Sequence, residues 1–298
     1  GGGIAVGAFL VAAGGLATVA AIQAGAPPVS TTTPVVAATG TPTGGGTGDA
    51  VPLDTATRLI TAFDAGTAWR STVGSCPATD VVVERSTDGG GTWNGFNLGS
   101  SGGISSAIAL QSYDNGDSAY LIGLDATACT PTWVGTTTAG SAWVAYPDRS
   151  ATTWYPEPEI PAFVHTPAST ASPTPCDVSG LAAVSGSSAS VLCTDRTVYR
   201  TVDGGSTWLE AESTPGAEAI GRGQGGYLVA STSPEVTCAG FAVTFVPEAV
   251  DAPNSIVNSC VPTTSAGAEV ALTGTADSLW LWSGTIVLRS LDGGATWS

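Results

Sequence analysis

The 298-residue sequence has very little positive charge. It contains no lysine, and its eight arginines stand against 24 acidic residues, which gives a formal net charge of −16 at pH 7. A chain of this composition lacks the basic surface through which proteins bind nucleic acid or anionic lipid. We therefore expect no nucleic-acid partner, and we expect partners with neutral or basic surfaces.

The usual motifs for metal binding and thiol redox chemistry are also missing. The six cysteines include no Cys-x-x-Cys pair, which excludes the common zinc-ribbon and thioredoxin spacings. An even number of cysteines favours disulfides in an oxidising compartment. Six cysteines allow 15 connectivities, and from their positions we predict the pairs Cys76–Cys129, Cys176–Cys193 and Cys238–Cys260. No cofactor and no metal site are predicted.

Charge is entirely absent from residues 1–25, which are almost wholly Gly, Ala, Val, Leu and Ile. As a helix, this segment is long enough to cross a hydrocarbon core of about 30 Å. We predict a single transmembrane helix or uncleaved signal anchor, with the rest of the chain on the extracytoplasmic side of the cell membrane. A cleavable signal peptide is the main alternative, because Ala24-Gly-Ala26 has the small-x-small form of a cleavage site. A buried core helix is the third interpretation.

Small residues within this predicted helix offer a packing surface. Gly3 and Gly7 have the spacing that lets a second helix approach closely, although a Gly/Ala-rich segment shows such spacing by composition alone. Residues 26–50 are rich in Pro, Thr and Gly and contain little that can pack, so we predict a flexible linker. Its composition is that of O-glycosylated stalks, so O-glycosylation is possible there.

One eight-residue phrase occurs three times in residues 51–298. Its shared pattern is a hydroxyl residue, Asp, Gly, Thr and Trp at fixed offsets: Ser86, Asp88, Gly90, Thr92, Trp93; Thr201, Asp203, Gly205, Thr207, Trp208; Ser290, Asp292, Gly294, Thr296, Trp297. Asp-Gly-Gly supplies the backbone freedom of a tight hairpin turn, and the Asp carboxylate can bind the turn's own backbone. A β-branched run precedes each phrase. We predict strand, turn and strand in each copy, with the Trp wedged between neighbouring sheets.

The spacing of these phrases predicts a repeat architecture. The intervals are roughly multiples of about 40 residues, the length of a four-stranded propeller blade. A degenerate copy of the repeat lies at residues 136–143, where Thr138 replaces the Asp. Five units are countable, and we predict five to seven blades with no helix longer than about two turns.

These residues resemble the Asp-box, or BNR, repeat of β-propellers, known from sialidases, sortilin-like receptors and photosystem assembly factors of the HCF136 and Ycf48 type. The resemblance implies an all-β propeller over residues 51–298, nearest in character to the non-enzymatic HCF136 and Ycf48 type. It does not imply one activity, because the same repeat occurs in hydrolases, receptors and assembly factors.

Two further segments are given roles by their composition and position. Residues 156–175 are rich in Pro, Ser and Thr and contain the single histidine, so we predict a surface loop with an exposed His165. Residues 51–56 are predicted to supply the outermost strand of the last blade and so close the ring.

No catalytic site emerges from the sequence. The resemblance to sialidases would require a cluster of three arginines, but Arg85, Arg200 and Arg289 occupy one repeated position before the phrase and are expected to be scaffold. The remaining arginines are Arg58, Arg70, Arg149, Arg196 and Arg222.

A glycosidase needs only two carboxylates. The available ones include Asp114, Asp117, Glu157 and Glu159, but no spacing selects a pair. Asp114-Asn-Gly-Asp117 is predicted to be a hairpin turn rather than a calcium loop, because it lacks the alternating ligands of such a loop.

Two functional hypotheses remain. The first is a membrane-anchored, non-enzymatic propeller that acts as an accessory, assembly or interaction subunit of an integral membrane protein complex, which it contacts through both helix and propeller. The alternative is a cell-surface glycan-binding module or glycoside hydrolase.

Overall fold

The computed structural model describes residues 55–212, 214–232, 239–263 and 269–298. The predicted transmembrane helix, the linker and the predicted packing residues Gly3 and Gly7 lie outside these ranges. Within them, none of the helices has the length and apolar character needed to cross a bilayer.

The described residues form six antiparallel sheets, which are the six blades of a β-propeller. Blade one contains β1 (Arg58–Ala62), β2 (Ala68–Thr72), β3 (Val82–Ser86) and β4 (Asn94–Asn97), and the short helix α1 (Leu98–Gly102) follows it. Blade two contains β5 (Ile104–Tyr113), β6 (Ser118–Asp125), β7 (Pro131–Thr136) and β8 (Val144–Ala145), and a 3-10 helix (Pro147–Thr152) follows it. Blade three contains β9 (Tyr155–Pro156), β10 (Phe163–Thr166) and β11 (Ser169–Pro173).

The other three blades complete the ring. Blade four contains β12 (Val178–Ala183), β13 (Ala189–Cys193), β14 (Val198–Thr201) and β15 (Leu209–Glu210). Blade five contains β16 (Ala217–Gly223), β17 (Gly226–Thr232), β18 (Gly240–Pro247) and β19 (Ser255–Pro262). Blade six contains β20 (Val270–Gly274), β21 (Leu279–Ser283) and β22 (Ile286–Ser290). The five units counted in the sequence are blades one, two, four, five and six.

Blade three is the blade that the sequence did not reveal, and the prediction of a surface loop at residues 156–175 was wrong. These residues form β10 and β11 and begin in β9. His165 is 5% exposed rather than on the surface, because its ring stacks on Tyr155 with 4.4 Å between centroids. Its Nδ1 lies 2.9 Å from the carbonyl oxygen of Thr153.

The three Asp-containing phrases form turns with one hydrogen-bonding pattern. In blade four, Asp203 Oδ1 accepts from the Thr207 amide at 2.9 Å, Asp203 Oδ2 accepts from the Thr207 hydroxyl at 2.7 Å, and the Gly205 amide donates to Thr201 Oγ1 at 3.0 Å. The turns of blades one and six repeat these bonds around Asp88 and Asp292. The carboxylates therefore hold the turns, as predicted.

Thr138 replaces the Asp in the turn of blade two and keeps part of this pattern. Its hydroxyl accepts from the Ala142 amide at 3.0 Å, and the Gly140 amide donates to Thr136 Oγ1 at 3.1 Å. The single hydroxyl thus replaces one of the two carboxylate contacts.

Each tryptophan of these turns packs between its own blade and the preceding one, as predicted. Trp143 lies edge-on to Trp69 of blade one, with 5.9 Å between ring centroids. Trp208 lies edge-on to the buried Trp154, which directly precedes blade three, at 6.4 Å. Such aromatic pairs contribute roughly 0.5–1.5 kcal/mol of stability beyond what burial of the rings contributes.

The repeated arginine before each turn reaches forward to the next blade, which confirms its scaffold role. Arg85 donates to the Gly116 carbonyl at 3.2 Å in blade two, and Arg200 donates to the Pro247 carbonyl at 2.6 Å in blade five. Arg289 of blade six donates to the carbonyl of Ala65 in blade one. This last bond joins the final blade to the first.

The joint between blades six and one also contains alternating cations and aromatic rings. The Arg58 guanidinium lies 4.5 Å from the Trp282 ring, and the Arg70 guanidinium lies 4.7 Å from the same ring and 4.2 Å from Trp93. Arg70 also pairs with Glu84 at 2.7 Å.

Most of the predicted closing strand at residues 51–56 lies outside the described residues. Thr55 and Ala56 are described, and the Ala56 amide donates to the Ser179 carbonyl of blade four at 2.8 Å. At the outer side of blade six, Ser298 exchanges two backbone bonds with Arg289.

Two of the three predicted disulfides are confirmed. Cys76 bonds Cys129 and joins the β2–β3 loop of blade one to the β6–β7 loop of blade two. Cys176 bonds Cys193 and ties the start of blade four to its second strand. Cys260 is also disulfide-bonded, but its predicted partner Cys238 lies outside the described residues.

Candidate functional site in the central channel

The candidate site lies on the propeller axis, where the innermost strands of the blades face one another. Because side chains alternate along a strand, every second residue of an inner strand points toward the axis. Seven residues, at least one from each blade, lie at the middle of the channel and border both of its cavities: Arg58, Leu59, Ile108, Pro156, Leu181, Ile220 and Ala271. We call the six apolar ones the apolar collar.

The apolar collar separates an upper cavity of about 420 Å³ from a lower cavity of about 370 Å³. The upper cavity lies where β5, β12 and β16 begin, and the lower cavity lies where they end. Both volumes fall within the range of roughly 300–1,000 Å³ that is typical of small-molecule pockets.

Blade three lacks the inner strand of the other blades, which runs from the upper cavity to the lower one. Trp154, before β9, borders the lower cavity, and Glu157, after β9, borders the upper one. β9 therefore runs in the opposite direction to the inner strands of the other five blades. By direction, β9, β10 and β11 match the second, third and fourth strands of a regular blade. β9 lies beside the axis in place of the missing strand, and its Pro156 belongs to the apolar collar.

The upper cavity is acidic. Glu157 and Glu159 follow β9, and Glu218 projects from β16 on the other side of the axis. The Cys76–Cys129 disulfide also borders this cavity, so the bond fixes part of its wall. The arrangement concentrates negative charge at one end of the channel.

Glu218 is the most deeply buried of these carboxylates, with its side chain 7% exposed. Its Oε1 accepts from Arg196 Nη1 at 2.5 Å and from the Thr232 hydroxyl at 3.1 Å. Its Oε2 is buried and has no hydrogen-bond partner among the described residues. The carboxylate thus keeps one acceptor unused, which favours a donor from a bound group.

Glu157 is half-buried, and this burial raises the pKa of its carboxyl, against the opposing effect of His165. Tyr155 lies two residues earlier on the same face of β9. Burial and the Glu157 charge raise the pKa of the Tyr155 phenol to about 12. The upper cavity therefore holds a carboxyl that takes up a proton more readily than an exposed one.

The lower cavity has the opposite charge. Arg222 projects into it from β16, two residues after the collar residue Ile220 and four after Glu218, so one strand carries an acid, an apolar residue and a base toward the axis. Tyr120 faces the same cavity, and its hydroxyl donates to Gln111 Oε1 at 3.4 Å. Burial raises the pKa of Tyr120 to about 12, and the nearby Arg222 charge opposes this rise.

The residues singled out in the sequence are distributed differently. None of the turn residues of the three Asp phrases borders either cavity. Turn bonds led by those from Thr92, Thr207 and Thr296 lower the pKa of Asp88, Asp203 and Asp292 to about 2.

The carboxylates considered for a glycosidase do not converge. Asp114 and Asp117 lie in the β5–β6 hairpin turn, as predicted, where Asp117 pairs with Arg85 at 2.5 Å. Glu157 and Glu159 border the upper cavity. The two groups therefore lie toward opposite ends of the channel.

Of the five arginines outside the repeated position, Arg58 and Arg222 border the cavities. Arg196 pairs with Glu218, Arg70 pairs with Glu84, and Arg149 lies over the Trp133 ring at 4.9 Å. They do not form the three-arginine cluster that a sialidase would need.

The sequence did not reveal the apolar collar, Glu218 or Arg222. The available signal was the alternation Glu218-x-Ile220-x-Arg222, which becomes visible only when the first strands of all blades are aligned with one another. No such alignment was possible across blade three, because its first strand is missing.

No protein-family model and no curated protein matches the sequence. Among solved structures, the Aleuria aurantia lectin in complex with Fucalpha1-6GlcNAc is 12% identical with a TM-score of 0.50, and the match covers 83% of this chain and 95% of the lectin. YCF48 bound to D1 peptide is 20% identical with a TM-score of 0.29, over 83% of this chain and 68% of YCF48. The GH74 xyloglucanase from Xanthomonas campestris is 16% identical with a TM-score of 0.31, over 80% of this chain and 37% of the enzyme. At these identities the similarity shows a β-propeller fold alone.

Proposed function

We propose that this protein is an Asp-box propeller that works without catalysis as an accessory, assembly or interaction subunit of a larger membrane protein complex. In this proposal residues 1–25 anchor it in the cell membrane, with the propeller on the extracytoplasmic side. The acidic upper cavity is the contact for a basic segment of the partner. The acidity of that cavity is the observation that carries the proposal.

The distribution of charge supports a basic partner. Arg200 and Arg289 are used on backbone carbonyls, and Arg58, Arg70, Arg85 and Arg196 are paired with carboxylates inside the propeller. Few cations remain to balance the acidic residues, whereas Glu157 and Glu159 have no ion pair among the described residues. A basic segment would gain attraction and a faster encounter rate.

The path of the chain supports a link between anchor and cavity. Thr55 and Ala56 border the upper cavity, so the segment that follows the linker reaches the propeller at its acidic end. A partner segment bound there lies close to the point of tethering. Two weak contacts joined by a flexible linker reinforce each other through effective concentration.

Co-purification of the full chain in mild detergent tests the acidic contact. Changing Glu157→Gln and Glu159→Gln together should reduce the amount of co-purified membrane protein and weaken the dependence of the complex on salt. Glu210→Gln with Glu212→Gln is the matched control, because it removes two charges at the outer strand of blade four, away from the cavity. Equal capture by both double variants and the unchanged protein would refute the acidic contact.

The helix contact needs a separate test. Replacing Gly3 and Gly7 with Leu should weaken co-purification without changing the circular dichroism of the propeller, because close helix approach needs small residues. If this variant, and a chain cleaved in the linker, both stayed bound as tightly as the intact protein, the two-contact arrangement would be wrong.

One observation favours the alternative, a glycan-binding module or glycoside hydrolase. Glu157 and Glu218 border the same upper cavity, and burial raises the pKa of the Glu157 carboxyl. A pair of carboxyl groups is what glycoside hydrolysis requires. A panel of chromogenic glycosides and a glycan array, applied to the full chain, separate the two hypotheses. Hydrolysis that disappears in Glu157→Gln would establish the enzyme and refute the non-enzymatic proposal.

A further inference from the structure

Arg222 differs from the other seven arginines in having no partner. Each of the others makes a hydrogen bond, an ion pair or a ring contact. Within the described residues, the Arg222 guanidinium makes none of these. Its backbone lies opposite Tyr227 in the β16–β17 ladder, and its carbonyl accepts from the Thr273 hydroxyl at 3.4 Å. The one unpaired cation of a strongly acidic propeller thus borders a cavity.

The surroundings of Arg222 are those of a binding pocket for a small molecule. Tyr113, Tyr120 and Trp154 supply aromatic faces to the lower cavity. Gln111 supplies an amide, which uses its oxygen for the Tyr120 hydroxyl and leaves its nitrogen without a bond among the described residues. The wall of the cavity is about equally polar and apolar, which suits a ligand that has both hydroxyl groups and an apolar ring face.

We propose that the lower cavity binds a small sugar acid, a hexuronate, whose carboxylate pairs with Arg222 and whose ring lies against the aromatic wall. The site is separate from the acidic upper cavity, and it does not depend on the proposed membrane partner.

The charge and planar shape of the guanidinium favour a carboxylate as its ligand. Its planar fork donates two parallel hydrogen bonds to a carboxylate. Arg222 is exposed where it borders the cavity, so a carboxylate that enters the cavity can reach it. A phosphate dianion would call for a second free cation, but Arg58, the other arginine that borders this cavity, pairs with Glu269 and donates to the Gly284 carbonyl. The hydroxyls of a sugar match the free amide of Gln111 and the Tyr113 phenol.

Isothermal titration of the purified full chain tests this site, with D-glucuronate and D-glucose as probes. The two sugars differ in the carboxylate alone, so glucuronate should bind at least about tenfold more tightly if a charged hydrogen-bonded pair forms. Arg222→Gln should weaken glucuronate binding by a similar factor. Arg222→Lys should weaken it less, because it keeps the charge and loses the fork.

Arg149→Gln is the matched control, since it removes one positive charge outside the cavity. Unchanged binding in this variant, together with weakened binding in Arg222→Gln, supports the site. Arg222 makes no side-chain bond, so we expect its variants to fold, and thermal unfolding checks this. Equal affinity for both sugars, no heat with either, or equal losses in Arg149→Gln and Arg222→Gln would each overturn the proposal.

Discussion

Blades three and four are neighbours built to different plans. Blade four has four strands, an inner strand that lines the channel, and an Asp203 turn. Blade three has three strands, no inner strand, and Pro167 and Ala168 in its last hairpin. The two blades nevertheless pack on each other through Trp154 and Trp208.

The difference shows which part of the repeat the ring needs. A blade can lose both its Asp turn and its inner strand and still hold its place, provided that an apolar wedge fills the joint. Here Trp154 and Val164 on one side meet Val178 and Val191 on the other. The loss also changes the chemistry of the channel, because the segment after β9 brings Glu157 and Glu159 to the upper cavity.

The largest effect on stability is expected from removing Trp154, the side chain that fills the joint between blades three and four. Trp154 is 6% exposed, and its indole donates to the Ser185 carbonyl at 3.0 Å. Trp154→Ala should lower the free energy of unfolding by about 3–5 kcal/mol, measured by urea denaturation. Trp208→Ala should cost less, because that ring is only half-buried. Equal or reversed losses would show that the joint depends on the repeat rather than on the wedge.

The next largest effect is expected from the two described disulfides, one in blade four and one between blades one and two. Cys176–Cys193 closes a separation of 17 residues at the start of blade four, and replacing both with Ser should cost about 3 kcal/mol by chain entropy. The matched change at Cys76 and Cys129, with a separation of 53 residues, should cost about 4 kcal/mol. Thermal unfolding of both double variants checks the order. A larger loss from the shorter loop would mean that bond strain or local packing outweighs chain entropy.

A smaller effect is expected from making the blade-four turn resemble that of blade three. Asp203→Ala removes the acceptor of the Thr207 amide and hydroxyl bonds. It should lower the melting temperature less than loss of either disulfide, because the turn is exposed and water replaces the lost bonds. Asp203→Thr should recover part of the loss, as Thr138 does in blade two. No recovery would indicate that Thr138 depends on its own surroundings.

The smallest effect is on acid stability. The folded-state pKa of Asp203 is about 2, below its ordinary value of 3.8, so its stabilising effect is present above about pH 4 and is lost as the pH falls through about 2. Melting temperatures measured from pH 5 to pH 2 should therefore fall less steeply for Asp203→Ala than for the unchanged protein. Parallel curves would contradict the low pKa.

The sequence predicted the parts of this fold that are encoded locally. Asp203, Gly205 and Trp208 act within one turn or against the next sheet, so their spacing was sufficient. Blade three was missed because residues 156–175 are rich in Pro and Thr, and its strands owe their place to packing, as the burial of His165 on Tyr155 shows.

The cavities were missed for a different reason. Glu157 follows β9 of blade three, whereas Glu218 and Arg222 lie on β16 of blade five, and only the closed ring brings the two blades to one axis. The sequence shows which residue types are present, but it does not show that they lie close together in the fold.

The joint between blades six and one is the only joint of the described ring that no loop of the chain crosses. At every other joint a covalent connection keeps two separated blades at high local concentration and speeds their return. Here the described contacts are all noncovalent: the bond from Arg289 to the Ala65 carbonyl, the Arg58–Glu269 ion pair, and the Arg70 guanidinium against the rings of Trp282 and Trp93. Transient opening should therefore begin at this seam, and amide hydrogens of β1 and β22 should exchange with deuterium before those of the interior blades.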